Sequence, residues 1–373
     1  MLTREGKNHS RIFSKLYFTE DASLSVQTLL APGDLVAVAD NGEITLLAPA
    51  LQKLPERYLQ VDLLKQWQEF LYWVREFFKE QGFVEIQTPG LVTCPGTEPS
   101  LDVFSTDLVL GSRREKLYLP TSPELHLKKA LALGAEKIFE IKKCYRNGEV
   151  TTHHQPEFTM IEWYRAFDNL ASIKKDVAEL VKYLGSKMSS VNGPKAVDSF
   201  TIAQLFKRDC GFELVPETNK EQLRELATKL GVDVSSATQI DDYFFLLFLE
   251  KIESQLPTEH MTFVENYPPY QAALARLTED GWGDRFEVYW QGLELANAFH
   301  ELNDAKVQAE RFKEDLAKKK AMGKEMIPLD EEFLQCLQAG MPPSGGIALG
   351  LDRLFMALTG VSKISETRLF PMK

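Results

Sequence analysis

Cysteine is scarce in this sequence. The four residues, Cys94, Cys144, Cys210 and Cys336, lie far apart and form no CxxC pair. That argues against a disulfide framework or a zinc site and for reduced thiols in a cytoplasmic protein. No apolar run reaches membrane-spanning length, so no membrane partner is expected. Met1 to Ser10 is polar and holds no apolar signal core. Positive charge is also in deficit: 43 Lys and Arg against 54 Asp and Glu leave a net −11. Nucleic-acid affinity rests mainly on Lys and Arg neutralising phosphates, so the balance argues against a broad polyanion-binding surface, though a local basic pocket stays open. What remains is ordinary for a soluble globular protein: 373 residues, 44% hydrophobic and 26% charged, enough for one large domain and a smaller unit.

The most informative stretch is Phe139 to Tyr164, which reads as two strands around a polar loop. Asn147-Gly148 marks a turn between Ile138–Tyr145 and Phe158–Tyr164. Alternation sets Phe158, Met160, Glu162 and Tyr164 on one face and Thr159, Ile161 and Trp163 on the other. One face would then carry Arg146, a loop with Glu149, His153, His154 and Gln155, and finally Glu162. Arginine offers a forked, permanently charged donor suited to phosphate. A solvated hairpin is the simpler alternative, but such a hairpin seldom gathers so much polarity on one side.

Residues 1 to about 55 form a short leader with strand character at Leu24–Val38 and Ile44–Leu47, interrupted by Pro32-Gly33-Asp34 and Asn41-Gly42. From Leu59 apolar residues recur at steps of three and four, predicting a long amphipathic helix ended at Gly82, with an extended run Phe83–Pro89 behind it. Its aromatic face suits either the core or a subunit interface. Ser122 is a good N-cap and Pro123 a good first helical residue, and Glu124 in the first turn is favoured by the helix dipole alone. Ala171–Leu184 reads as a helix, and residues 195 to about 258 as a helical insertion of helices and loops. Asp284–Trp290 and Leu293–Phe299 read as a hairpin around Gln291-Gly292. Glu294, Asn297 and Glu301 follow within eight residues, a set suited to Mg²⁺ or to an ammonium group. Strict alternation puts the two glutamates on opposite faces, so a shared site needs a bulge or a strand end near Ala298. Lys306–Lys324 is a helix whose lysines form a solvated face or a dock for an acidic partner. Last, Ser344 to Met356 is a glycine-flanked strand running into a helix, with Arg353 in the first turn, an arrangement that favours an anion.

Taken together, the pieces resemble the class II aminoacyl-tRNA synthetases. Phe83–Pro89 behind its helix looks like motif 1, Arg146 with its loop and Phe158 like motif 2, and Gly346–Arg353 like motif 3. The runs TSPELHLKKAL, PEFTMIEWY and ELANAFHEL look like the lysyl branch. The resemblance implies an α+β fold, an antiparallel sheet flanked by helices, usually dimeric through motif 1. Only about 55 residues precede the catalytic pattern, where a lysyl-tRNA synthetase carries an anticodon-binding domain. The whole chain therefore resembles more closely the truncated lysyl-tRNA synthetase paralogues that lysylate elongation factor P. EWYR, AFHEL and Ala348, where synthetases usually have glycine, point the same way.

That resemblance implies ATP and Mg²⁺, (R)-β-lysine or lysine as the activated substrate, elongation factor P as the acceptor, a homodimer, and no use of tRNA. It implies domains at 1–55 and 56–373. Arg146 and Arg353 would be catalytic, on the α- and γ-phosphates, and Glu294 and Glu301 would bind Mg²⁺. Asn147, Gly148, Glu149, His154, Gln155, Phe158 and Leu295 would complete the ATP site, with Gly148-Glu149 departing from the usual order of the motif 2 acid. Ser122, Pro123, Glu124, Glu162, Tyr164, Asn297, Glu301 and Ala348 would form the amino-acid pocket. Two rivals are a minimal lysyl-tRNA synthetase and a non-catalytic protein that keeps the fold.

Overall fold

The computed structural model describes residues 2–4, 7–11, 35–39, 44–48, 61–189, 191–368 and 370–372. The chain divides into two compact units, residues 1–65 with 368–371 and residues 66–367 with 372–373. In the first unit β1 (Leu2–Arg4), β2 (Lys7–Arg11), β3 (Leu35–Ala39) and β4 (Ile44–Ala48) form an antiparallel sheet in that order. The part of the expected strand run Leu24–Val38 that precedes residue 35 lies outside the described residues.

Helix α1 (Val61–Glu80) follows, and Gly82 at φ 78° lets the chain turn out of it. Its apolar stripe buries Phe70, Val74, Phe77 and Phe78. Trp67 meets Phe355 edge-on at 5.1 Å, and Phe78 stacks on Phe139 at 4.9 Å. Each fully buried ring contributes about 2 kcal/mol. Most of the stripe is therefore core, while Tyr72 stays exposed. Of the expected run Phe83–Pro89, only β5 (Val84–Glu85) pairs as strand. Side chains hold the rest: Thr88 N–H donates to Glu140, and Lys142 Nζ donates to the carbonyls of Thr88 and Pro89.

After the hairpin β6 (Ser105–Leu110) and β7 (Arg113–Tyr118) come α2 (Glu124–Ala132), β8 (Lys137–Tyr145), β9 (Glu157–Ala166) and α3 (Leu170–Lys187). Residues 195–258, expected as helices and loops, open instead with an edge strand, β10 (Val197–Thr201). Helices α4 (Ile202–Leu205), α5 (Lys220–Lys229) and α6 (Ile240–Leu247) then pack into a core with Val264, Tyr267 and Tyr289 of the sheet, in which Phe244 stacks on Phe206 at 5.5 Å and on Phe248 at 6.1 Å. Next come β11 (Met261–Tyr267), β12 (Gly283–Trp290), β13 (Leu293–His300), α7 (Ala305–Ala321), α8 (Glu331–Gly340), β14 (Ser344–Gly350) and α9 (Leu351–Thr359).

The main sheet runs β10-β11-β12-β13-β14-β9-β8-β5. Pairings from β11 through β8 are antiparallel, and the outermost pairing at each edge is parallel. Helices flank it, as expected of an α+β protein. The last strand, β14, inserts between β13 and β9, so three segments far apart in sequence share one surface. On α7, Lys319 is buried and donates to the carbonyls of Glu98 and Leu101, while Lys324 donates to that of Ser100. These two lysines strap a loop to the helix, whereas Lys313, Lys318 and Lys320 stay exposed, as a solvated face requires.

Candidate active site

The site is built on one row of the sheet. Direct cross-strand partners share a face, and Glu287, Asn297, Ala348 and Glu162 are successive partners on β12, β13, β14 and β9. Glu294 joins them through a bulge. Ala296 opposes Val288 but Glu294 opposes Tyr289, so Leu295 is the extra residue. The bulge inverts the alternation and brings Glu294 to the face of Asn297. It lies at Leu295, not near Ala298.

Above the row sits the start of α2. Ser122 Oγ accepts from Glu124 N–H at 3.0 Å, as a cap should, although the helix is assigned from Glu124. The same hydroxyl donates to Glu162 Oε1 at 2.5 Å, and Tyr164 OH donates to Glu162 Oε2 at 3.0 Å. Burial and the neighbouring Glu124 push the Glu162 carboxyl up to about 8. Lys128, one turn along α2, is 1% exposed, and its Nζ lies 2.5 Å from both Glu124 Oε1 and Glu301 Oε2. Gly346 makes room for this cluster, since a Cβ there would meet Glu301 Oε1 at 2.2 Å and Tyr164 Cε1 at 2.3 Å.

Arg146 follows β8. Its guanidinium lies over the Phe158 ring at 5.2 Å, and its Nε–H is buried with no partner among the described residues. Such an orphaned donor is costly and is relieved by an anion. Arg353 Nη1 donates to the carbonyl of Glu294 at 2.7 Å, and Nη2 faces His154 Nε2 at 2.5 Å. Arginine has no acceptor, so His154 accepts through Nε2 and donates through Nδ1 to Thr151 Oγ1 at 2.8 Å. Burial and Arg353 push the imidazole down to about 4, in keeping with its neutral role. Arg285, which sequence reasoning missed, is buried and donates to Asn297 Oδ1 at 2.9 Å. The Asn297 amide oxygen is thereby engaged, and its NH₂ is the group left to donate.

These side chains line a continuous cleft. A lobe of about 390 Å³ holds Glu149, His154, Gln155, Phe158, Glu162, Leu295, Ala348 and Arg353. It shares Ser122, Glu124, Arg146, Glu294 and Asn297 with a lobe of about 1130 Å³ that reaches Glu98, Asp241 and α7. Five expected site residues do not line it. Pro123 and Tyr164 are buried behind the wall, Asn147 and Gly148 are exposed at the turn, and Glu301 is closed off beside Lys128.

Residues 53–373 match the family described as tRNA synthetases class II (D, K and N). The chain belongs to this class II synthetase family. Among its curated relatives is a protein named elongation factor P–(R)-β-lysine ligase from Proteus mirabilis, 38% identical over 305 residues, 80% of this chain and 91% of the relative. Proteins of the same name from Photorhabdus laumondii and Salmonella arizonae are 36% and 38% identical over 305 and 304 residues, again 80% of this chain and 91% of each relative.

In this member of the family, no three His, Cys, Asp or Glu side chains converge among the described residues to hold a metal ion unaided. Mg²⁺ accompanying a nucleotide usually takes only one or two carboxylates, with phosphates and water completing the shell. Glu294 fits that pattern. Desolvation in the cleft and the neighbouring Glu287 push its carboxyl up to about 7. Glu301 does not join it: seven residues along a strand separate the two by about 20 Å, and Glu301 faces Lys128. The carboxylate set near Glu294 is Glu287, which also accepts from Tyr267 OH at 2.6 Å and Tyr289 OH at 2.5 Å. The alternation of Arg285, Glu287 and Tyr289 was a readable signal for this face. For Lys128 the signal was its place four residues after Glu124 on α2. Among the described residues no helix is long and apolar enough to cross a membrane.

Proposed function

We propose that this protein is an ATP-dependent ligase that activates (R)-β-lysine, or lysine, as an aminoacyl-adenylate and passes the acyl group to a lysine side chain of elongation factor P. The names of its relatives support the reading over most of both chains. The observation that carries it is the make-up of the cleft. A guanidinium with an unpartnered Nε–H shares it with the carboxylates of Glu124 and Glu162. A substrate with one carboxylate and two ammonium groups complements that set.

In this reading Arg146 binds the substrate carboxylate and the α-phosphate and stabilises the charge that develops between them. The carboxylate oxygen forms a bond to the α-phosphorus, the bond to the β-phosphate bridge breaks, and pyrophosphate leaves. Arg353 takes the γ-phosphate, its fork already aimed by His154 and the Glu294 carbonyl. Phe158, His154 and Gln155 frame the adenine, with Glu149 and the Asn147-Gly148 turn at its edge and Leu295 beneath. Asn297 NH₂ donates to the substrate carboxylate, while Glu124 and Glu162, backed by Ser122 and Tyr164, take the ammonium groups. Glu294, beside Glu287, would hold Mg²⁺, which would supply charge neutralisation for the phosphates. In the second step the acceptor amine bonds to the acyl carbon, the bond to AMP breaks, and the amine sheds a proton.

Residues 56–373 carry this chemistry, and residues 1–55 are an extension. The same reading includes a cytoplasmic homodimer without tRNA. The exposed Leu108, Val109 and Leu110 of the β6–β7 hairpin offer apolar surface for a second copy. The test supplies ATP and α- or β-lysine, with elongation factor P or tRNA as acceptor. Amino-acid-dependent pyrophosphate exchange and a modified elongation factor P are expected. Charging of tRNA instead would favour a minimal lysyl-tRNA synthetase, and absent exchange would sink the enzyme reading.

A further inference from the structure

The lysine at the centre of the acidic cluster has no role in the reaction outlined above. Lys128 is one of the most completely enclosed cations among the described residues. Its ammonium bridges Glu124 and Glu301 at 2.5 Å each. Glu301 is itself 0% exposed and does not line the cleft, whereas Glu124 does. Lys128 holds only Oε1 of Glu124, leaving Oε2 free to turn toward the cleft. Three buried or half-buried carboxylates, Glu124, Glu162 and Glu301, thus surround one buried cation. Fully ionised, the cluster carries −3 + 1 = −2, and Glu124 and Glu162 are the two of its carboxylates that line the cleft.

We propose that Lys128 is an internal counter-ion that neutralises Glu301, fixes the orientation of Glu124, and so sets the pocket to take two ammonium groups. The inference rests on the ligase reading above and deepens it, by naming what makes the pocket select a diamino acid. A monoamino acid of the same length leaves one carboxylate uncompensated, and an uncompensated buried charge is strongly disfavoured. Without Lys128 the pocket would carry a third unpaired carboxylate, which draws the substrate's ammonium groups out of register. Lys128 touches no reacting atom, so it is a positioning residue. Its signature is charge compensation: removing one member of the Lys128–Glu301 pair should be worse than removing both.

The experiment measures amino-acid-dependent ATP–pyrophosphate exchange with lysine, β-lysine and norleucine for the wild type, Lys128→Met, Glu301→Gln and the double variant, with thermal melts alongside. Each single variant is expected to raise the KM for the diamino acid by about tenfold or more while the KM for ATP moves less than about twofold, and the double variant to recover to within about threefold of wild type. A Lys128→Met KM close to wild type, or a folded double variant no better than the singles, overturns the proposal. So does a double variant that fails to fold, because the pair would then serve stability alone. A wild-type protein indifferent to diamino acids would overturn the ligase reading and this inference with it. A responsive wild type without charge compensation overturns the inference only.

Discussion

The Ser122 hydroxyl donates to Glu162 Oε1 at 2.5 Å while accepting the backbone N–H of Glu124. One hydroxyl therefore ties the first turn of α2 to the floor of the sheet. Ser122→Ala should cost about 1 kcal/mol of stability through the lost cap. It should also raise the KM for the amino acid and leave that for ATP near its original value, because Glu162 loses a fixed donor. Steady-state exchange kinetics check both; equal changes in the two KM values would contradict the assignment.

In the proposed mechanism both substrates converge on Arg146. Arg146→Ala should lower pyrophosphate exchange by at least about a hundredfold, with an unchanged melting temperature. Arg146→Lys should rescue little, since a point charge does not reproduce the fork. Near-normal exchange in either variant would remove Arg146 from the mechanism.

Glu287 and Glu294, not Glu301, are expected to govern the response to Mg²⁺. Titrating the ion should show that Glu287→Gln and Glu294→Gln need more of it for half-maximal exchange. Glu301→Gln should keep the wild-type midpoint and change only the amino-acid KM. A shifted Mg²⁺ midpoint in Glu301→Gln would restore that residue to the metal site.

The Glu162 carboxyl is raised from 4.5 to about 8 by burial and by Glu124. The folded protein thus keeps a proton that the unfolded chain gives up, and stability should fall as pH rises between those values. Glu162→Gln should flatten that slope. A diamino acid bound to the ionised carboxylate should release a proton near neutral pH, read as a buffer-dependent heat in titration calorimetry. No buffer dependence would mean that Glu162 binds its ligand already ionised, or not at all.

Ala348 lies between Asn297 and Glu162 in the sheet row. It lines the cleft beside both, which in the proposed reading hold the ends of the amino acid. Ala348→Gly should move the preference toward α-lysine by about tenfold, the scale of one methyl group in a pocket. An unchanged ratio of kcat/KM for α- and β-lysine would leave Ala348 without a part in selection.

Much of the site was legible because its segments are local. The alternation around Phe158–Tyr164, the turn at Gln291-Gly292 and the cap at Ser122 each follow from a few neighbouring residues, and each is present in the fold. The two-residue β5 was less so. Its neighbours are held by Glu140 and Lys142, more than fifty positions along the chain, and no periodicity in Phe83–Pro89 reports that. The strand at Val197–Thr201 was missed for a similar reason, since its partner in the sheet is β11, about sixty residues on.

By itself, the sequence determined which chemistry was present: one arginine just past a strand and one in the first turn of a helix, a set of glutamates, a capped helix and a glycine-lined strand. Only the tertiary structure decided how they combine. The bulge at Leu295 brings Glu294 to the cleft face, because one extra residue inverts the alternation across it. Lys128 closes off Glu301 because α2 packs over the sheet, and no local pattern encodes that approach. The polar stretch around Arg146 is thus half of a site. Its other half arrives from β12, β13 and β14, brought beside it by the strand order.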